Sequence, residues 1–163
     1  MSARLGETPH YRYRLKVEVE PTERETITSA LEDEPFELGE RLGLAPLLAQ
    51  IEEGELDVET SSETQLAHFD RDIEMLSVYL PQYIIGKEVF VRPTPGAPIL
   101  VGWMIVGRAG QVVRLALDVR WEPNAEQIVD GGPDVDAVIA RWAELPEWVR
   151  DAMRMGHPRL RAL

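Results

Sequence analysis

The segment 98–121 constrains the fold more than any other part of the sequence. Residues 98–106 and 112–121 are two β-type runs, and residues 107–111 between them contain the glycines of a turn. Two such runs joined by a short glycine-bearing connection are typical of an antiparallel hairpin. The chain is therefore predicted to contain a sheet, and its remaining elements have to pack around that sheet.

The two arms of this hairpin differ in pattern. The first arm is apolar at almost every position, including Val101, Trp103 and Met104. That pattern is typical of a strand that is covered on both faces or sealed by a partner. The second arm alternates, because Arg114 and Arg120 fall between apolar residues. It is therefore predicted to have one face in water.

Further strands and helices are predicted from periodicity and from turn residues. Residues 11–19 alternate with period two, and 87–92 is a β-rich run after a predicted turn at Gly86, so both are predicted strands. Apolar spacings of three and four predict five helices, the first of which has Thr22 and Glu25 at the spacing of a capping box. The predicted helices cover residues 22–32, 46–53, 62–80, 134–144 and 146–155.

The helix predicted over 62–80 has the clearest pattern. Its apolar residues recur along one side, at Leu66, Phe69, Ile73, Leu76 and Leu80. Such a stripe buries one face of a helix. Because the stripe runs for about two heptads, shorter than a coiled coil needs, packing against a core is favoured over an oligomer seam.

The length of 163 residues matches one ordinary domain. Residues 1–163 are therefore predicted to form a single acidic domain, with 157–163 as a short C-terminal tail after Gly156 and Pro158. Strands in the middle of the chain with helices on both sides predict an α+β fold. In this fold a mainly antiparallel sheet carries helices that pack mostly on one face.

Composition and charge exclude several kinds of function. The chain has no cysteine, which excludes disulfides and thiolate chemistry. Its net charge of −12 is concentrated in residues 18–63, where fifteen carboxylates outnumber two arginines. This acidic region disfavours binding to nucleic acid or anionic lipid. Met1 to His10 lack the apolar core of a signal peptide, and no apolar run is long enough to span a membrane, so a cytoplasmic protein is expected.

His68 and Asp72 are the candidate metal ligands. They lie four residues apart in the strongest predicted helix, a spacing that lets two side chains share a metal ion. Further ligands would have to come from elsewhere, and Glu59, Glu63 and His157 are the available donors. The competing interpretation, which the sequence favours, is a surface ion pair or hydrogen bond between His68 and Asp72. On that interpretation no metal or other cofactor is expected.

Basic residues are predicted to gather on the sheet. If the strands 11–19 and 112–121 share one wet face, that face carries five basic side chains, namely Arg12, Arg14, Lys16, Arg114 and Arg120. Such a cluster on an acidic protein can dock an acidic partner, an RNA backbone or the acidic region of a second copy. The alternative is an ordinary solvent face whose charges are paired locally by Glu18, Glu88 and Asp118.

No segment matches a catalytic motif, and no catalytic residue is assigned from the sequence. Charge segregation is the most unusual feature. It favours a non-catalytic interaction protein, such as a small regulator, inhibitor or immunity-type protein, that acts on a protein partner and is also capable of self-association. The alternative is a hydrolase that uses carboxylates and His68, with or without a divalent metal ion. The two hypotheses differ in whether His68 and Asp72 line a cleft with another carboxylate or face water.

Overall fold

Six strands form the sheet around which the described part of the chain, residues 7–163 of a computed structural model, is organised. The strands are β1 (His10–Glu18), β2 (Glu55–Ser62), β3 (Ile84–Arg92), β4 (Ile99–Arg108), β5 (Gln111–Glu122) and β6 (Gln127–Pro133). Within these residues the α-helices are α1 (Arg24–Asp33), α2 (Glu37–Leu42), α3 (Leu44–Glu53), α4 (Phe69–Tyr79), α5 (Val135–Ala140), α6 (Glu147–Gly156) and α7 (Pro158–Arg161). None of these helices is long and apolar enough to cross a membrane. Residues 1–6, part of the segment considered above for a signal peptide, lie outside the described residues.

The strand order is β2-β1-β3-β4-β5-β6, and every neighbouring pair is antiparallel. The register places Leu15, Gly86, Ile105 and Arg114 opposite one another across β1, β3, β4 and β5. Because directly opposed residues point to the same side of a sheet, these four residues define one side, the front face. Residues one position along each strand, such as Met104, lie on the back face. The predicted α+β class and antiparallel sheet are confirmed.

Helices cover parts of both faces. On the front face, α1 to α4 share a core with the sheet that includes Leu15, Val17, Ile27, Leu38, Ile51, Ile73, Leu76 and Ile105. On the back face, α5 to α7 share a second core that includes Val91, Met104, Val106, Leu115, Val138, Val149, Met153 and Leu160. The larger group of helices therefore lies on one face, as predicted, and the three C-terminal helices add a layer on the other.

Helix α4 lies close to the sheet because two glycines beneath it have no side chain. A Cβ atom on Gly86 would overlap the Cδ1 atom of Ile73, and one on Gly107 would lie 2.7 Å from Ile73 Cγ2. Gly86 lies within β3, which begins at Ile84, so the predicted turn at Gly86 is wrong. The apolar stripe of α4 is buried as predicted, including Phe69, Ile73 and Leu76.

The predicted hairpin is present as β4 and β5. A two-residue turn joins the arms at Ala109 and Gly110, whose φ angles are 51° and 79°. Two successive positive φ angles are typical of the type I′ turn, whose twist matches that of a hairpin. The sheet also curls, so that Lys87 of β3 forms an ion pair with Asp130 of β6 across the two intervening strands.

The helix predicted over 62–80 begins later than predicted, at Phe69. Segment 63–68 is not helical, because β2 continues to its start and a distant side chain binds its backbone. The amide of Leu66 donates to the Tyr13 hydroxyl at 2.7 Å. This tertiary hydrogen bond takes the place of a helical one, which local periodicity does not reveal.

A capping box forms two residues earlier than predicted, at the turn that precedes α1. Glu20 and Glu23 form it, with the Glu20 amide 3.0 Å from the Glu23 carboxylate, in place of Thr22 and Glu25. Pro21 explains the shift, because its fixed φ favours the first position of a helical turn. A short 3-10 turn, Pro21–Glu23, therefore precedes α1.

The edge strand β6 includes residues 131–133, whose Gly-Gly-Pro sequence is typical of a turn. This strand, β6, pairs with β5, whose register shifts between Leu117 and Val119. The irregular pairing accommodates the glycines, which a regular ladder disfavours. Asp134 then caps α5, accepting the amide of Ala137 at 3.2 Å.

Residues 157–163, predicted to be a tail, contain the short helix α7. The His157 side chain accepts the Arg159 amide at 3.2 Å, and Pro158 occupies the first helical position, where its missing N–H costs nothing. Leu160 is fully buried in the back-face core. The end of the described chain is therefore packed against the domain.

Candidate functional site

The front face of the sheet is uncovered beyond the N-terminal end of α4. There Ile99 and Val101 of β4 have 49% and 42% of their surface exposed. Three half-buried aromatic residues flank them on the same face, namely Tyr11, Phe90 and Trp103. The register places Tyr11 opposite Phe90 and Phe90 opposite Val101, so the surface is continuous. These five residues are called the sheet platform below.

Strand β4 shows why the platform is unusual. At Met104, Ile105 and Val106 the strand is buried on both faces. Over residues 99–103 its back face is covered, with Gly102 buried, whereas the front face meets water. The sequence pattern predicted a strand covered on both faces or sealed by a partner. One half of β4 satisfies the first description, and the other half lacks the second cover.

Two arginines lie over the aromatic rings of the platform. The Arg92 guanidinium is 5.8 Å from the centroid of Phe90, and the Arg114 guanidinium is 5.6 Å from that of Trp103. Tyr11 packs against Phe90 with 5.0 Å between ring centroids. The platform therefore combines apolar area with cationic groups at its border.

A buried glutamate holds Arg114 in this position. Glu88 lies on the front face and is fully buried. Its Oε1 atom accepts hydrogen bonds from Arg114 at 2.9 Å and Gln65 at 3.2 Å, and Arg114 also donates to Asp70 at 2.8 Å. Burial alone would lower the pKa of Arg114, but the bonds to the two carboxylates outweigh it and raise the pKa. Arg114 therefore stays charged beside Trp103.

Burial also raises the pKa of Tyr13, which lies opposite Glu88 on β1. The hydroxyl therefore remains protonated at physiological pH. One oxygen of Glu88, Oε2, is buried without a hydrogen-bond partner among the described residues. Glu88, Tyr13 and Arg114 therefore form a polar cluster next to the apolar residues of the platform.

A depression of about 280 Å³ adjoins the platform at Trp103. Its walls are formed by β4, β5 and α5, with Trp103, Arg114, Leu115, Ala116, Ala137, Val138 and Arg141 as the lining residues. Arg141 is exposed at the end of α5, and its Nη1 atom donates to the Arg114 carbonyl at 2.7 Å. Within residues 7–163, no carboxylate lies within 4.0 Å of the Arg141 or Arg92 side chain.

The five basic residues predicted to share a face do not share one. Arg12, Arg14 and Lys16 lie on the back face, whereas Arg114 lies on the front face, opposite Ile105. Arg120 lies beyond the register shift of β5, with its Nε atom 3.9 Å from Asp118. The alternation within each strand was predicted correctly, but the pairing between distant strands was wrong, because pairing register is not encoded in either pattern alone.

Lys87 joins the three back-face cations in place of Arg114. It lies directly opposite Arg14, and with Lys16 these residues surround a shallow depression of about 260 Å³ at Ile85. Three of these four cations have an acidic neighbour: Arg14 is 3.8 Å from Asp57, Lys16 is 3.7 Å from Glu55, and Lys87 pairs with Asp130. The back-face stripe is therefore of mixed charge, and a binding role for it stays a prediction.

Asp72 binds the backbone of α2, whereas His68 precedes α4 and its own amide donates to Glu37. Asp72 is buried, and its oxygens accept the amides of Glu37 and Leu38 at 2.9 and 3.1 Å, which caps α2. Burial raises the pKa of Asp72 to about 7, although the two amide donors lower it. His68 is exposed and precedes α4, so the predicted pair on one helical face does not form. Among the described residues, no group of three or more side chains could hold a metal ion.

No protein-family model, curated protein or solved structure matches this chain.

Proposed function

We propose that this chain is a non-catalytic interaction protein that binds a protein partner through the sheet platform. The observation that carries the proposal is the half-covered strand β4. Ile99 and Val101 expose apolar side chains next to three aromatic residues, on the same face that α1 to α4 cover at Leu15, Val17 and Ile105. Contiguous apolar patches on soluble domains commonly mark interaction sites.

The residue types of the platform support a protein partner. Aromatic residues and arginine are enriched in the centres of protein interfaces, where they contribute most of the binding energy. Trp103 and Phe90 provide rigid apolar area, and Arg92 and Arg114 lie against their rings. The platform is also part of a sheet, which holds these side chains in fixed positions before a partner arrives. Such preorganisation reduces the entropic cost of association.

Replacing Val101 by Glu is the direct test. The substitution places a charge in the middle of the apolar platform, and any partner that covers the platform would have to remove that charge from water. The matched control is Val78→Glu, because Val78 is 60% exposed on α4, away from the platform. Both variants and the wild type are used as bait for affinity capture from the native cell, after circular dichroism and thermal melting have established that each is folded.

We expect a protein that is captured by the wild type and by Val78→Glu at equal levels and is lost with Val101→Glu. Equal capture by all three folded baits would contradict binding at the platform. Loss with both variants would indicate a general effect of added negative charge and would also contradict it.

A further inference from the structure

We infer that the partner presents an acidic polypeptide segment, one carboxylate of which enters the depression beside Trp103 and pairs with Arg141. This inference rests on the proposed function of the platform. It adds the chemistry of the occupant, which the platform's apolar residues leave undefined.

The position of Arg141 indicates that the occupant is acidic. One of its N–H groups donates to the Arg114 carbonyl, and this bond fixes the guanidinium at the mouth of the depression. Arginine has five N–H donors in a planar fork that suits a carboxylate. Since no carboxylate of residues 7–163 lies within 4.0 Å of Arg141, the other donors point to an acidic group from outside.

The walls of the depression indicate how an acidic side chain fits into it. Ala116, Ala137 and Val138 are small or apolar, so they suit the aliphatic part of an aspartate or glutamate side chain. Trp103 belongs to both the depression and the platform. A chain that places a carboxylate at Arg141 therefore continues over Trp103 towards Val101, where its neighbouring residues have to be apolar.

Charge argues against two other occupants. Single-stranded nucleic acid can stack on aromatic residues, but it carries a negative charge at every nucleotide, so the negative field of residues 18–63 repels it more strongly than a peptide with few carboxylates. A second copy docked platform to platform would bring Arg92 and Arg114 near their own counterparts. An acidic, partly apolar peptide meets both the cationic border and the apolar centre.

The test is a selection from a library of random peptides on the immobilised full-length protein. Parallel selections use Arg141→Glu, the neutral Arg141→Gln, and the control Arg71→Glu, which changes an exposed arginine on α4 outside the platform. Val101→Glu serves as the bait that lacks an intact platform. Melting curves establish that each bait is folded, and the neutral variant keeps the test valid if charge reversal disturbs α5.

We expect the wild type and Arg71→Glu to enrich the same peptides, which combine Asp or Glu with aromatic or aliphatic residues. Binding of these peptides should weaken about tenfold with Arg141→Gln, which corresponds to about 1.4 kcal/mol, and further with Arg141→Glu. It should also weaken with added salt.

Three results would overturn the inference. The first is the enrichment of peptides whose binding depends on Val101 but which contain no excess of acidic residues. The platform would then still be a docking site, but its partner would not be acidic. The second is equal binding to the wild type and both Arg141 variants, which would lead to the same conclusion. The third is that no enriched peptide depends on Val101, which would contradict an acidic segment as the occupant of the platform. The capture experiment with Val101→Glu would then test separately whether the platform binds a partner at all.

Discussion

Asp72 is the side chain that joins α4 to α2. Its carboxylate accepts two backbone amides at the start of α2, and the Glu37 side chain accepts the His68 amide at 3.1 Å in return. Each helix start is thereby capped by a residue of the other helix. Such reciprocal bonds satisfy amides at helix starts, which have no partner within their own helix. A residue that looks like a metal ligand from its spacing therefore has a structural role.

Asp72 should make stability depend on pH. Its pKa is about 7 in the folded protein, against 3.8 for the ordinary side chain, so between these values the folded state holds a proton that the unfolded state has lost. Raising the pH through this window therefore favours unfolding. We expect the free energy of unfolding to fall from pH 4 to pH 8 more steeply in the wild type than in Asp72→Asn, measured by urea denaturation. An equal or steeper fall in the variant would contradict this assignment.

At the scale of the element, α4 packs into the front core through Ile73 and contacts Arg114, at the border of the platform, through Asp70. Ile73 is fully buried against two glycines of the sheet, Gly86 and Gly107. Because the backbone there cannot move closer, removing the side chain should leave a cavity. We expect Ile73→Ala to cost about 2–5 kcal/mol of unfolding free energy, with no dependence on protein concentration. A cost near that of the exposed-site control Val78→Ala would contradict the packing.

The elements that form because of a local sequence pattern were predictable from the sequence. The hairpin of β4 and β5, the strand at β1 and the apolar stripe of α4 all follow from periodicity. Helix α2 was not predicted, because its start is capped by Asp72, thirty-four residues from Leu38 along the chain. Strand β6 was not predicted either, because its glycines signal a turn unless the register shift in β5 is known.

The candidate site could be predicted only in part for the same reason. The two-sided apolar pattern of β4 indicated either a second cover or a partner, and the structure places the uncovered part at Ile99 and Val101. The proposed basic cluster needed the pairing of two distant strands, and that pairing puts Arg14 and Arg114 on opposite faces. Lys87 was not included, because its place opposite Arg14 depends on the same long-range pairing.

At the scale of the whole molecule, the helices and the charge are distributed unevenly. Residues 18–63 supply α1 to α3 and the edge strand β2, whereas Arg92 and Arg114 lie on β3 and β5 and Arg141 follows the last residue of α5. Four helices cover the front core and stop short of the platform. A partner with acidic groups would therefore be repelled by one side of the protein and attracted to the other, which orients its approach.

Hydroxyl-radical footprinting of the complex with the captured partner tests the central claim most directly, because the reaction labels exposed side chains rather than the backbone amides that the sheet already protects. We predict that oxidation of Tyr11, Phe90 and Trp103 falls on binding, while that of Met155, which is 71% exposed on α6, does not change. Unchanged oxidation of the three platform aromatics in the bound protein would contradict the proposal that the platform is where the partner docks.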